Sequence, residues 1–341
     1  MVKDGRVGFG IIGLGIGTSR CEMMQAAPEA RLVAVADLVE EKAKSVAAKY
    51  GVEWYTDYHK MLERNDIDVV GVYTPSGLHL NIALDVARAG KHVLTTKPME
   101  ITLERADAII SAAKEAGVKL GTEFASRYST YNYALYRAIH DGKFGKMVLG
   151  EFNYKCYRDQ AYYESNGGWR GTWKVDGGGA IMNQSIHSVD QMIWLMGDVD
   201  TVTARWGTYT HKIETEDTAV ALITFKSGAM GVLVGTTTFH NDRPFKMYGG
   251  GVTRRSEVNG EFGSATMIDD VTKMWKVVEG EVPTQVPLPA VNIFQDYARW
   301  VLDDSYSSPT LPKAEDSRKT LELVLAVYES ARTGKTVKLP L

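Results

Sequence analysis

One stretch near the N-terminus narrows the folds open to this chain more than any other. Arg6-Val7-Gly8-Phe9-Gly10-Ile11-Ile12 is an apolar run that leads straight into Gly13-Leu14-Gly15-Ile16-Gly17. An amphipathic segment follows over 18–27, then a second apolar run, Arg31-Leu32-Val33-Ala34-Val35-Ala36, which ends at Asp37. Strand, glycine turn, helix, strand and acid in that order suit a dinucleotide. Glycines let the backbone approach a pyrophosphate, and a helix N-terminus aims its free N–H groups at negative charge. The acid arrives roughly 20 residues after the turn, as a ribose-hydroxyl contact requires. Gly13, Gly15, Ile16 and Gly17 are therefore expected at the phosphates and Asp37 at the ribose. In G-x-G-x-x-G register, Thr18 holds the third position and Gly17 stands one residue early. The third glycine serves close helix–strand packing, so the expectation is slightly looser packing with the phosphate site intact. Taken without its neighbours, the glycine run also reads as a purely structural turn.

The chain is long enough for two domains, with 341 residues, 44% of them hydrophobic and 24% charged. A formal net charge of −3 without a long basic run argues against a nucleic-acid or polybasic membrane surface. No apolar stretch is long enough to span a bilayer. Cys21 and Cys156 show no CxxC spacing, and the N-terminus lacks the layout of a signal peptide, so the cytoplasm is the expected compartment.

The first third alternates strand and helix patterns, which implies a parallel sheet covered on both faces. A strand over 68–75 ends at Thr74-Pro75, and a helix over 79–89 follows. The next strand, 91–96, carries Lys97-Pro98 at its carboxyl end. A helix over 103–116 and a strand over 118–124 complete the pattern. Near Arg127 the character changes. Strands are expected over 146–157, 200–210, 218–225 and 230–238, with a hairpin turn at 226–229. One helix, 180–196, interrupts them, and two more close the chain at 293–303 and 314–332. The expected fold class is an α/β Rossmann domain over 1–125 followed by an α+β domain over 126–341 with a mostly antiparallel sheet.

Together these pieces resemble the Gfo/Idh/MocA oxidoreductase family over nearly the whole chain. The resemblance is carried by Gly13-Leu14-Gly15, Tyr73-Thr74-Pro75-Ser76-Gly77-Leu78-His79, Gly90-Lys91-His92-Val93-Leu94 and Lys97-Pro98. In the second half it is carried by Gly177-Gly178-Gly179-Ala180-Ile181-Met182-Asn183-Gln184-Ser185-Ile186-His187-Ser188-Val189-Asp190, by Glu216-Asp217-Thr218 and by the closing segment 322–341. It implies an open-faced second sheet, a cleft between domains for catalysis, and exchange of a hydride between a nicotinamide and a sugar, glycoside or cyclitol carbon. It also implies a homodimer or homotetramer built through the second-domain sheet. Family members usually have Glu-Lys-Pro where this chain has Thr96-Lys97-Pro98, and often an Asp where it has Asn183. By the same resemblance Trp169 and Arg170 reach toward cofactor and substrate; a packed aromatic–cation cluster is the competing reading.

Oxidising a secondary alcohol removes a hydride and a proton, so a base must stand within hydrogen-bond reach of the hydroxyl. Lys97 sits where open α/β sheets present ligands, and burial near a cationic nicotinamide would disfavour its ammonium. His187 titrates in the working range. These two are the expected acid/base pair, and the sequence leaves open which takes the proton directly. Asn183, four residues before His187, shares its helix face and can orient sugar hydroxyls. Tyr157 and Arg158 fall on a strand that could line the sugar pocket. Thr74, Pro75 and His79 are expected beside the cofactor. Asp37 followed by Leu38 favours NAD over NADP, because a carboxylate repels a 2′-phosphate. Gly177-Gly178-Gly179 reads either as a second anion cradle or as a flexible approach to the helix. No third ligand joins His187 and Asp190 to make a metal site; His211 and His240 read as surface histidines on separate strands. Two other functions fit the same residues: a glycosidase that oxidises a ring carbon transiently with held NAD, and a non-enzymatic NAD-binding regulator.

Overall fold

The computed structural model describes residues 4–241 and 251–341. The chain forms two compact units: Met1–Tyr128 with Pro289–Arg318, and Ser129–Leu288 with Lys319–Leu341.

The first unit holds strands β1 (Val7–Ile12), β2 (Ala30–Ala36), β3 (Glu53–Tyr55), β4 (Val69–Val72), β5 (His92–Thr96) and β6 (Leu120–Glu123). They form a six-stranded sheet in the order β3-β2-β1-β4-β5-β6, parallel at every pairing. β1 and β4 are buried at each position, because helices cover both faces of such a sheet. That is why both read as unbroken apolar runs. The connections leave β1 toward β2 on one side, while β4 lies on the other. The crevice at such a reversal, at the carboxyl ends of the strands, is where open α/β sheets bind ligands. Gly13 and Thr74-Pro75 are the chain segments that leave β1 and β4 there.

Residues 289–318 return to this unit. The helix Ile293–Leu302 is capped by Asn292, whose side chain accepts from the N–H groups of Phe294 and Gln295. Its Phe294, Tyr297 and Ala298 enter the core formed by Phe9, Val35 and Leu94. Phe294 meets Phe9 edge-on, with ring centroids 5.6 Å apart. Buried Asp296 accepts from four hydroxyls, those of Tyr128, Tyr306, Ser308 and Thr310, at 2.6–3.0 Å. A division at 125/126 assigns this helix to the second body; its apolar face packs in the first.

The second unit carries β7 (Met147–Cys156), β8 (Val199–Gly207), β9 (Thr218–Phe225), β10 (Met230–Thr236), β11 (Val252–Gly260), β12 (Gly263–Ile268), β13 (Val271–Val277) and β14 (Val337–Lys338). Among the described residues they form an eight-stranded sheet, β13-β12-β11-β7-β10-β9-β8-β14. Every pairing is antiparallel except β7 with β10. One face is covered: Phe152, Ala221, Ile223 and Leu233 are buried, and the helix Ile186–Met196 lies on β7. The alternate positions Val220, Leu222 and Met230 are exposed. The expected helix over 180–196 is present, but its first six residues, Ala180–Ser185, wind as a wide π-type turn. Such turns are rare and gather at functional sites. No helix among the described residues is long and apolar enough to cross a membrane.

Candidate active site

In the first unit the glycine turn has the shape a dinucleotide needs. Gly13 adopts φ +86°, and a Cβ there would stand 2.7 Å from the Tyr73 carbonyl oxygen. Gly15 is exposed, and a Cβ on it would meet nothing within 4 Å. The helix Gly17–Met24 starts at exposed Ile16 with no side-chain cap and no acid in its first turn. Its leading N–H groups are therefore not claimed by a carboxylate of their own helix, as an anion site requires. The looser packing expected from Thr18 is not found. Gly17 makes the close approach instead, where a Cβ would lie 3.1 Å from Ile11 Cγ2 and 3.4 Å from Tyr73 Cβ. The Thr18 hydroxyl donates to the Leu14 carbonyl at 2.6 Å and ties the turn from within.

Asp37, one residue beyond β2, accepts from the Leu14 N–H at 2.7 Å and from the Val39 N–H at 2.9 Å. The carboxylate thus fixes the glycine turn and retains lone pairs for ribose hydroxyls. Leu38 beside it is 90% exposed, with no side-chain donor for a 2′-phosphate. Thr74, two residues beyond β4, has its Oγ1 buried without a hydrogen-bond partner among the described residues. These residues fit a dinucleotide: Gly13, Gly15, Ile16 and Gly17 would hold its phosphates, and Asp37 a ribose.

Lys97 is half-buried and directly follows β5. His79 secures the ground around it. Its fully buried ring places Nε2 2.9 Å from the Thr74 carbonyl oxygen, and Nδ1 3.0 and 3.1 Å from those of Pro98 and Met99. Burial pushes this imidazole below its ordinary pKa, against the pull of those carbonyls and of Glu100. His79 holds the Thr74-Pro75 strand end to the Lys97-Pro98 strand end, a different task from the cofactor contact expected of it. Glu100, itself fully buried, accepts from the Leu80 and Ile101 N–H groups and from Arg105.

In the second unit Asn183 and His187 are both half-buried on the segment that runs from the wide turn into the helix Ile186–Met196. The Asn183 amide donates to Asp176 at 2.6 Å, and its oxygen accepts from Gln184 at 2.9 Å and from the Tyr162 hydroxyl at 3.4 Å. Arg158 donates to Gln184 at 3.0 Å, and its guanidinium lies 5.3 Å from the Tyr162 ring centroid. Arg170 stacks over Tyr162 at 4.6 Å and over Trp169 at 4.8 Å, a packed aromatic–cation cluster. Tyr157 bridges to Thr238 and stacks on His240 at 4.0 Å. His211 is not a surface residue: its buried ring bonds Asp217 at 3.1 Å and the Arg158 carbonyl oxygen at 2.8 Å. Among the described residues no group of three or more His, Cys, Asp and Glu could hold a metal ion.

The glycine run 177–179 is buried, and the N–H groups of Gly177 and Gly179 are directed at the protein itself. Its cradle is filled by a side chain of the protein, the fully buried carboxylate of Glu216, which accepts from the N–H groups of Gly179 at 3.0 Å and Ile181 at 2.8 Å. The Tyr328 hydroxyl donates to the same carboxylate at 2.9 Å. Asp176, Tyr162, Glu216 and Tyr328 all escaped the sequence reading. Glu216 and Tyr328 carried a signal only as members of the Glu216-Asp217-Thr218 landmark and of the closing segment 322–341, and Asp176 and Tyr162 carried none.

Burial pushes the Glu216 carboxyl up to about 7 from an ordinary 4.5, with its hydrogen bonds opposing in part. Between those values the folded chain keeps a proton that the unfolded chain has released. The resulting stability is complete below the unfolded pKa and is lost as pH rises through 7. Glu216→Gln cannot ionise, so its unfolding free energy should fall less between about pH 5 and about pH 8 than the parent's, read by urea titration. An unchanged slope would contradict the assignment.

Comparison with known proteins places these features. Residues 7–124 match the model of an oxidoreductase family with an NAD-binding Rossmann fold, and residues 133–266 match the GFO/IDH/MocA C-terminal domain. The chain is 32% identical to myo-inositol 2-dehydrogenase of Thermotoga maritima over 232 residues, 66% of this chain and 67% of that protein. It is 28% identical to 1,5-anhydro-D-fructose reductase of Ensifer adhaerens over 305 residues, 88% of each. The crystal structure of the WlbA dehydrogenase from Bordetella pertussis, in complex with NADH and UDP-GlcNAcA, superposes with a TM-score of 0.88 over the whole of both chains at 28% identity. With its parallel sheet, its glycine turn and both of its halves matched, the chain belongs to the Gfo/Idh/MocA family of NAD-binding oxidoreductases.

Proposed function

We propose that this oxidoreductase interconverts a secondary alcohol and a ketone on a sugar, glycoside or cyclitol, with Lys97 and His187 as its acid/base pair. The observation that carries this reading is the presence of a dinucleotide-shaped glycine turn after β1 and a half-buried lysine after β5, two strands away along the same sheet. The relatives named for inositol and anhydrofructose, and the dehydrogenase crystallised with UDP-GlcNAcA, support a polyhydroxylated substrate. NAD, when bound, supplies the acceptor or donor of a hydride. The chain's residues do the rest. His187 or Lys97 takes the hydroxyl proton during oxidation and returns it during reduction. Asn183, steadied by Asp176, orients neighbouring hydroxyls; Tyr157, Arg158 and Arg170 line the substrate's surroundings, with Trp169 toward the cofactor.

Turnover of added NAD against a panel of sugars and cyclitols tests this, read as NADH absorbance. Bond cleavage with no net NADH would favour the glycosidase reading; tight NAD binding without turnover on any sugar would favour a regulator. Asn183→Ala is expected to raise KM about tenfold with kcat nearly kept, as loss of uniform binding requires. A collapse of kcat at saturation would assign Asn183 to the chemistry instead. We further propose that the enzyme acts in the cytoplasm as a homodimer or homotetramer. Support comes from two buried free cysteines and from exposed Val220, Leu222 and Met230 on the open sheet face. A monomer by light scattering would remove the oligomer.

A further inference from the structure

The segment that carries Asn183 and His187 begins in an unusual way. A helix start leaves N–H groups without intrahelical partners. Here three of them are claimed by two buried side chains from distant parts of the sequence. Glu216 takes those of Gly179 and Ile181. The Tyr328 oxygen accepts from Met182 at 3.2 Å and from Gly179 at 3.3 Å, while its hydrogen goes to Glu216. The glycines are shaped to this pair. A Cβ on Gly178 would collide with the Tyr328 hydroxyl, and one on Gly179 with the Glu216 carbonyl oxygen. The arrangement is braced from outside as well. Trp173 meets the Tyr328 ring edge-on at 5.3 Å, its indole N–H donates to the Glu214 backbone carbonyl oxygen at 3.0 Å, a bond that a side-chain change at 214 leaves in place, and the Ala180 N–H donates to the Glu216 carbonyl oxygen at 3.0 Å.

We propose that Glu216 is a positioning residue for the reaction: with Tyr328 it pins the wide turn Ala180–Ser185, and through that turn it sets the Asn183 amide and the His187 imidazole. The inference rests on the reading that His187 exchanges the substrate's proton. A π-type turn carries an extra residue per hydrogen-bonded ring, so without outside acceptors the segment would relax toward an ordinary helix. That relaxation rotates every later side chain about the helix axis. A displacement of about 1 Å at a catalytic group costs on the order of a hundredfold in rate. Glu216 touches neither Asn183 nor His187 through a side-chain bond, so its influence runs through the backbone it anchors.

The test compares Glu216→Gln and Tyr328→Phe with the parent, using Glu214→Gln as a neighbouring carboxylate control. Glu216→Gln keeps the shape but turns an N–H donor toward the Gly179 N–H. Expected are a fall in kcat of about thirtyfold for Glu216→Gln and about fivefold for Tyr328→Phe, within that hundredfold bound. The NAD dissociation constant should be unchanged in both, and Glu214→Gln should match the parent. A second readout needs no substrate. The His187 ring resonance, assigned among the seven histidines by its loss in His187→Ala, should shift in both variants and stay in place in Glu214→Gln. Parent-like kcat with an unmoved resonance would overturn the proposal. If Glu216→Gln does not fold, Tyr328→Phe decides by the same two readouts. If His187→Ala itself keeps full kcat, the parent reading fails, and the resonance alone still decides whether Glu216 sets the ring.

Discussion

His187→Ala should lower kcat about a thousandfold, and Lys97→Met by a similar factor, within the range general acid–base groups contribute. Neither alcohol oxidation nor ketone reduction completes until a proton crosses between the oxygen and a protein group. An imidazole nitrogen can accept a proton and return it, so it serves in either direction. A lysine on a strand end, half out of water, adds a second donor whose charge can stabilise the developing oxyanion. kcat and kcat/KM should fall together, because the lost interaction belongs to the transition state. The NAD dissociation constant should not move in His187→Ala, since the imidazole is assigned to the substrate's proton and not to the coenzyme. Steady-state kinetics with a substrate from the panel, paired with NAD titration by fluorescence, checks both statements. A loss of only a few fold in each variant would strip the pair of its assigned role.

Gly13→Val should abolish measurable NAD binding, a loss of at least about a hundredfold. Two physical terms add. The residue sits at φ +86°, a region that costs an L-residue about 1–2 kcal/mol. The new Cβ would stand 2.7 Å from the Tyr73 carbonyl oxygen and 2.8 Å from its carbon, and backbone cannot swing away as a side-chain tip can. The turn must shift, and with it Leu14, whose N–H holds Asp37. Gly15→Ala separates fold from function. Its Cβ meets nothing within 4 Å, so the melting temperature should hold while NAD affinity falls. Thermal melts with and without NAD measure both. Parent-like ligand stabilisation in Gly13→Val would refute the placement of the phosphates at this turn.

The parallel half of the fold was legible because burial on both sides writes itself as unbroken apolar runs, and because each strand end carries a motif. β3 and the helix Tyr58–Leu62 were not read, being three and five residues long and too short for any periodicity. β11 and β13 escaped for a different reason. Arg254, Arg255, Lys273 and Lys276 break the alternation on strands whose faces are both half in solvent, leaving only Ser256, Val258 and Val277 buried. The helix at 180–196 was found from its apolar spacing, but its wide first turn was not, since one inserted residue hardly alters the pattern. The site shows the same division. Gly13, Asp37 and Lys97 were visible as local motifs. Glu216 and Tyr328 reach the glycines across 37 and 149 positions, which no short window contains, while Asp176 stands only 7 residues before Asn183 but shares no helical or strand period with it, because a loop and the wide turn lie between them.

One stoichiometry decides whether a hydride leaves the substrate's carbon for the coenzyme. With a sugar or cyclitol that turns over, ketone and NADH should appear together, one for one, and a deuterium on the reacting carbon should be recovered in the reduced coenzyme. Product formed by cleavage of a bond while the coenzyme ends each cycle oxidised, or no exchange of deuterium at all, would contradict it.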